Sequence, residues 1–123
     1  MKHNFLWCCG AAMIVAALLL GTACDKVNPD TIDCTGVSPT YTADIQPIFA
    51  ASCATPGCHS AVTAQENIDL STYTGCVDCA TNHELRCSIE HGSGCHPMPV
   101  NAAKLPDAQI KKIICWVQNG MPQ

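Results

Sequence analysis

Basic side chains are scarce in this chain. Its 123 residues include six Lys and Arg against ten Asp and Glu, which gives a formal net charge of −4. The basic residues form no patch or stripe of the kind that neutralises nucleic-acid phosphates. The sequence therefore argues against a nucleic-acid partner and predicts a mildly acidic surface.

No apolar run reaches the length of about 20 residues that spans a bilayer. The longest begins at Phe5, after Lys2, and ends at Leu20 before small residues. This pattern is typical of a secretory signal peptide, residues 1–23, with an uncleaved membrane anchor as the alternative. "LGTAC" resembles a lipobox, so we expect a lipid on Cys24 to tether the exported chain to a membrane surface. Its small residues would also suit ordinary cleavage.

Aromatic residues are few as well, at 5% of the chain. Four follow the predicted signal peptide: Tyr41, Phe49, Tyr73 and Trp116. A domain of this size buries proportionally little surface, so a bound prosthetic group would supply apolar bulk that the side chains lack. Strong strand alternation and internal repeats are also missing. Residues 25–40 are rich in polar and turn-forming types and read as a linker.

Helical periodicity is present in two segments. In "YTADIQPIFAASC" the apolar residues Ile45, Ile48 and Phe49 share one helical face that leads into Cys53. Thr42 or Asp44 could cap this helix, and Pro47 is tolerated in a first turn. "LPDAQIKKIICWVQNG" has the clearest pattern, from Pro106-Asp107 to Asn119-Gly120. Its apolar positions are Ile110, Ile113, Ile114 and Val117. A short helix over residues 82–90 is also expected, followed by a loop.

Cysteine, in contrast, is abundant, with eleven in the chain. This density in an exported protein indicates an oxidising compartment. Cys8 and Cys9 fall within the predicted signal peptide. With Cys24 assigned to lipid and Cys53 and Cys58 set aside, six cysteines remain for disulfides. We expect Cys76 and Cys79 to pair with each other or with neighbours, and Cys95 could pair with Cys115. The disulfide candidates are Cys34, Cys76, Cys79, Cys87, Cys95 and Cys115.

"CATPGCH", residues 53–59, places a histidine directly after the second of two cysteines. The C-x-x-C-H motif attaches a c-type haem by two thioethers and supplies the proximal histidine, but here four residues separate the cysteines. Thr55-Pro56-Gly57 are residue types that favour a turn. Such a turn could bulge outward at a small cost in free energy and keep Cys53 and Cys58 close. Cys53, Cys58 and His59 are therefore candidate haem residues.

"HPMP" offers the second axial ligand. Met98 lies between two prolines, which restrict the loop backbone, and His/Met ligation raises the reduction potential relative to two nitrogen ligands. Met121, in the C-terminal tail, is less suitable. The alternative sixth ligands are His83, His91 and His96. Arg86 could meet a haem propionate but is expected to be an exposed helix residue, and Trp116 a core residue.

Other interpretations of these residues stay open. Zinc could bind four thiolates, and a disulfide-rich module could do without any metal. Cys95-His96 repeats the Cys-His adjacency, so a second haem is a further alternative. A haem enzyme or sensor, peroxidase-like, would need an open iron site without Met98. The zinc candidates are Cys53, Cys58, Cys76 and Cys79.

The order of these motifs resembles that of the class I c-type cytochromes. It is most similar to the small monohaem modules of exported bacterial lipoproteins and planctomycete-type cytochrome domains. The matching pieces are "DIQPIF", "C….CH", "IDLSTYTG", "SIEHGSGCHPMP" and "LPDAQIKKIICWVQNGMP", which cover most of residues 41–122. The four-residue gap between the cysteines departs from the family pattern.

The resemblance implies an all-α domain at residues 41–123, with N- and C-terminal helices around one covalent haem c and a loop-rich middle stapled by disulfides. Residues 24–40 would be the lipid anchor and linker. Cys53 and Cys58 would bind the haem, and His59 and Met98 its iron. The implied activity is single-electron transfer rather than enzyme catalysis. It would involve redox protein partners at a membrane surface, in the periplasm or on the outer cell surface.

Overall fold

The computed structural model describes residues 32–123. The predicted signal peptide, the predicted lipidation site Cys24 and the first part of the linker lie outside the described residues. Residues 32–123 form helices joined by turns and loops, without a strand, in agreement with the all-α prediction. None of the helices in this range has the length and apolar character needed to cross a membrane.

The first helix begins as a π-helical turn, Tyr41–Ile45, and continues as α1, Gln46–Ser52. Its N-cap is Thr40, so the prediction of Thr42 or Asp44 as the cap is wrong. The helix starts at Tyr41, before either predicted cap, and the Asp44 carboxylate instead accepts a hydrogen bond from the Thr40 N–H at 3.1 Å. Pro47 lies in the first turn of α1, directly after the π-helical turn, and has no N–H to donate to the preceding turn.

The middle of the chain contains one helix that the sequence pattern did not predict. A 3₁₀ turn, Gln65–Asn67, precedes α2, Tyr73–Asn82, and the short α3, Leu85–Ile89, follows within the predicted range. Thr72 caps α2, because its hydroxyl accepts a hydrogen bond from the Gly75 N–H at 3.1 Å. The glycine, threonines and cysteines of α2 are weak helix formers, so its stability depends on cap and packing.

The last helix, α4, Asp107–Gln118, lies where the periodicity predicted it. It packs against the π-helical turn and buries its apolar face. Trp116 is fully buried, which confirms the prediction that it is a core residue. The core also receives Phe49 from α1 and Ile89 from α3. The buried face of α4 thus shares one apolar core with residues from the other helices.

The segment before the first helix is attached to the C-terminal part of α4. A disulfide joins Cys34 to Cys115. With its amide oxygen and nitrogen assigned from the surrounding hydrogen-bond partners, Gln118 donates to the Ile32 carbonyl at 3.2 Å and accepts from the Ile32 N–H at 3.1 Å. Asn119 Nδ2 donates to the Val37 carbonyl at 3.2 Å. Residues 32–37, which the sequence assigns to a linker, are therefore fixed to the helical domain.

The remaining cysteines differ from two of the expectations. Cys95 is bonded to Cys87 and not to Cys115. Cys76 and Cys79 are free thiols rather than disulfide partners. Both lie on the buried face of α2, and the Cys76 thiol donates to the Leu70 carbonyl at 3.4 Å. Burial in the helical core gives both thiols apolar packing, and Cys76 a hydrogen-bond partner, in place of a disulfide.

Candidate functional site

The loop between Cys53 and His59 closes on itself. The His59 N–H donates to the Cys53 carbonyl at 3.1 Å, and inside the loop the Cys58 N–H donates to the Thr55 carbonyl at 3.0 Å. Gly57 has a φ of +83°, a left-handed conformation that glycine adopts without strain. The extra residues thus form a turn, and a hydrogen bond keeps Cys53 and His59 together.

His59 is held in a defined orientation by a second segment of chain. The Leu70 N–H donates to the His59 carbonyl at 2.8 Å, and His59 Nδ1 lies 3.2 Å from the Ile68 carbonyl. A carbonyl oxygen only accepts, so Nδ1 carries the proton of the neutral imidazole. The lone pair is then on Nε2, which is the arrangement that metal-bound histidines use.

The segment that orients His59 is fixed in turn by α2. Gly75 lies so close to the Asp69 carbonyl that a Cβ at this position would overlap it. Asp69 is the neighbour of Ile68, whose carbonyl contacts His59. A glycine in the first turn of α2 therefore allows the close approach that places the histidine's acceptor. Sequence reasoning missed this contact, since every residue has a backbone carbonyl and no pattern distinguishes Ile68.

The two cysteines of the loop have different surroundings. Cys58 is exposed, whereas Cys53 is buried in the cluster that also contains Cys76 and Cys79. Burial disfavours the thiolate and raises the pKa of Cys53 to about 11, with a smaller contribution from Cys79. Burial likewise raises the pKa of Cys76 to about 12 and that of Cys79 to about 11. These three thiols stay protonated at neutral pH.

Free thiols in the haem-free protein are expected to react at very different rates. Iodoacetamide attacks the thiolate, so Cys58 should be alkylated at least about tenfold faster than buried Cys53, Cys76 and Cys79. Peptide mass spectrometry after a short exposure at neutral pH measures the labelled fraction at each site. Labelling in guanidinium should modify all four alike. Equal rates at Cys53 and Cys58 in the folded protein would contradict the burial of Cys53.

Met98 is held by a different segment of the chain from the one that holds His59. Its N–H donates to the Ser88 carbonyl at 3.0 Å, and His91 Nε2 donates to the Met98 carbonyl at 3.1 Å. The side chain is half-buried. These hydrogen bonds attach Met98 to α3 and the turn after it, and none of them reaches the loop of residues 53–59. The structure thus brings Cys53, Cys58 and His59 together and fixes Met98 separately.

The other residues considered as ligands have ordinary structural partners. Arg86 forms an ion pair with Glu90 at 3.0 Å within one helical turn. His83 lies 3.8 Å from the Asp78 carboxylate at the surface. His96 is exposed, and Met121 packs against the core with its carbonyl accepting from the Tyr73 hydroxyl at 2.8 Å.

Metal binding by thiolates alone has no ready-made site in residues 32–123. No three His, Cys, Asp or Glu side chains in this range are arranged to hold a metal ion. The four cysteines named for zinc are therefore not gathered, although three share the core. Two cavities, of about 330 Å³ between α1 and α4 and about 130 Å³ beside α3, are not lined by Cys53, Cys58, His59 or Met98.

Comparison with known proteins returns no relative. No protein-family model matches the chain, and no curated protein or solved structure is significantly similar to it. The function must therefore be inferred from the chemistry of the site.

Proposed function

We propose that the protein is a monohaem c-type cytochrome that transfers single electrons at a membrane surface. The observation that carries the proposal is the orientation of His59. Its Nδ1 is engaged by the Ile68 carbonyl at 3.2 Å, which leaves Nε2 as an iron donor. This histidine directly follows Cys58, whose exposed thiol is available to a haem vinyl group.

The residues present fit a covalent haem in their chemistry. Cys53 and Cys58 would hold it by thioether bonds, and the closed loop of residues 53–59 keeps both cysteines next to the histidine. His59 and Met98 would be the axial ligands, an imidazole and a thioether. When bound, the haem iron supplies a one-electron couple whose potential depends on its axial ligands and on the polarity around it.

If His59 and Met98 both bind the iron, no position would remain for a substrate, so the proposed role is that of an electron carrier and not of an enzyme. The four cysteines paired in Cys34–Cys115 and Cys87–Cys95 support an oxidising, exported location. We place the protein in the periplasm or on the outer cell surface, anchored by a lipid on Cys24. The linker preceding Ile32 would connect that anchor to the domain.

The charges of the described residues favour a basic redox partner. Three of the four Lys and Arg in residues 32–123 form ion pairs within the chain, at Arg86, Lys104 and Lys112. Carboxylates without such pairs include Asp33 and Asp69, whose pKa values are lowered by hydrogen bonds from Thr35 and Ser71. The negative surface would steer a partner with a basic patch, an effect that salt weakens.

The intact mass of the exported protein tests this proposal. We expect a mass increase of one haem that survives acid and denaturation, with Cys53 and Cys58 resistant to alkylation after reduction. His59→Ala should keep the covalent haem but change its absorption spectrum, because the thioethers do not need the imidazole. A protein that gains no haem when co-expressed with attachment enzymes would refute the proposal.

Met98→Ala separates the electron carrier from a haem enzyme with an open iron. Methionine-ligated ferric haem has a weak far-red absorption band, which should be present in the natural protein and absent from Met98→Ala. Met121→Ala, in the C-terminal tail, is the matched control and should retain the band. If Met98→Ala leaves the ferric spectrum unchanged, Met98 is not the ligand and the iron is open or bound by another residue.

A further inference from the structure

The segment that carries Met98 has few anchors in the core. Residues 90–104 include no buried residue, whereas Ile89 before them and Leu105 after them are buried. A stretch with few buried apolar contacts opens at low free-energy cost unless other bonds fix it. The position of Met98 therefore depends on bonds made by this segment itself.

The strongest of these bonds is the disulfide between Cys87 and Cys95. Cys87 belongs to α3, between buried Leu85 and Ile89, and Cys95 is three residues before Met98. The disulfide thus attaches the exposed segment to a helix that is packed into the core. It is independent of the other disulfide, which joins the N-terminal segment to α4.

The turn that the disulfide closes is built compactly around it. The Gly92 N–H donates to the Cys87 carbonyl at 2.8 Å, and a Cβ at Gly92 would come within 2.8 Å of Cys87 Sγ. A glycine is needed here because any side chain would push against the disulfide. This close fit keeps the turn, and the residues after it, beside α3.

Two hydrogen bonds continue from the disulfide to Met98. The Met98 N–H donates to the carbonyl of Ser88, the neighbour of Cys87, and His91 Nε2 donates to the Met98 carbonyl. Hydrogen bonds that water can replace add little net stability. They define the position of Met98 only while the covalent link keeps the two chain segments adjacent.

We propose that Cys87 and Cys95 are positioning residues for the distal ligand. Their disulfide holds Met98 where it can bind the iron, and opening the disulfide releases Met98 while the haem stays attached through the loop of residues 53–59. This inference rests on the proposed function. The Cys87–Cys95 disulfide can be opened without disturbing His59 or the loop that carries it.

The size of the effect follows from loop closure. Cross-linking two residues eight apart removes conformational entropy from the open segment, worth roughly tenfold to a hundredfold in an equilibrium constant. Added imidazole can bind the iron only when Met98 has left. Its apparent affinity therefore rises with the population of the released state.

The experiment compares the haem-loaded natural protein with the double variant Cys87→Ser/Cys95→Ser. We expect the variant to lose most of the far-red methionine band and to bind imidazole roughly tenfold to a hundredfold more tightly. Its haem mass and its far-UV circular dichroism should match those of the natural protein. Val100→Ala changes an exposed residue of the same segment and leaves the disulfide intact, so it should behave like the natural protein.

A second route covers the case in which the double variant does not fold. The natural holoprotein is treated with a dithiol, which becomes oxidised to its disulfide as Cys87 and Cys95 each gain a hydrogen atom. Alkylation then blocks the two thiols, and ferricyanide returns the iron to the ferric state. The band should be lost here too, and peptide mapping confirms which cysteines were opened.

The outcomes separate this inference from the proposed function. A variant with an unchanged band and unchanged imidazole affinity refutes the positioning role and leaves the cytochrome intact. If the natural protein carries covalent haem but lacks the methionine band, Met98 is not an iron ligand and the inference is refuted. A natural protein without covalent haem refutes the proposed function, and the mass alone reveals it.

Discussion

Replacing both Cys34 and Cys115 with serine should lower the free energy of unfolding by about 4–5 kcal/mol, because a disulfide closing so long a loop restricts the unfolded chain most. The two cysteines are 81 positions apart, so the bond spans nearly all of the described chain. Domains of this kind have a net stability of only about 5–15 kcal/mol. The loss therefore approaches the lower end of the total.

Urea titration of the natural protein and the double variant, followed by circular dichroism, measures this change. Cys115 is fully buried, so a serine hydroxyl there adds a cost of its own; Cys34→Ala/Cys115→Ala is the matched variant that removes this contribution. Cys87→Ser/Cys95→Ser, which opens a short loop, should lose about 2–3 kcal/mol. If the short-loop variant proves as destabilised as the long-loop one, chain entropy is not the source of the stabilisation.

The parts of the fold that the sequence could predict are those with a strong local pattern. Helix α4 was located because apolar residues from Ile110 to Val117 follow the helical period and Asn119-Gly120 ends them. Helix α2 was missed because its stabilising features are tertiary. They are a Thr72 cap, a glycine pressed against the Asp69 carbonyl and two buried thiols, none of which produces an apolar stripe.

The number of cysteines did not predict which of them form disulfides. Treating all six remaining cysteines as paired assumed that an exported thiol must find a partner. Burial of Cys76 and Cys79 removes that need, since a protonated and inaccessible thiol oxidises slowly. The pairing of Cys95 with Cys87 depends on a turn that returns the chain to α3, and spacing alone did not distinguish it from Cys115.

At the candidate site the sequence identified the donor residues but not what orients them. The adjacency of Cys58 and His59, and the turn chemistry of the residues before them, could be read directly. The Ile68 carbonyl that fixes the His59 tautomer is nine residues away and carries no side-chain signal. Likewise, a disulfide at Cys95 beside Met98 could be expected from the sequence, but its partner, Cys87, depends on the geometry of the loop after α3.

Trp116 joins three parts of the molecule at the centre of the core. Its ring centroid lies 6.2 Å from that of Tyr41 in the first helical turn and 6.4 Å from that of Tyr73 in α2. Its indole N–H donates to the Pro122 carbonyl at 2.9 Å. The same carbonyl accepts from the Tyr41 N–H at 2.9 Å, so the C-terminal tail is bound between the indole and the first helix.

Trp116→Ala should therefore lower the free energy of unfolding by about 3–5 kcal/mol, through lost apolar burial and the cavity that remains. Trp116→Phe keeps much of the ring volume and gives up the hydrogen bond to Pro122, so its loss should be smaller, at about 1–2 kcal/mol. Urea titration measures both, with Val62→Ala, at a side chain 94% exposed, as the control expected to change nothing. A Trp116→Ala loss no larger than that of Trp116→Phe would mean that the aromatic cluster does not organise the core. If the loss in free energy of unfolding is largest for Trp116→Ala, smaller for Trp116→Phe and absent for Val62→Ala, packing by the indole contributes more than its hydrogen bond. That packing then holds the first helix, α2 and the tail on α4.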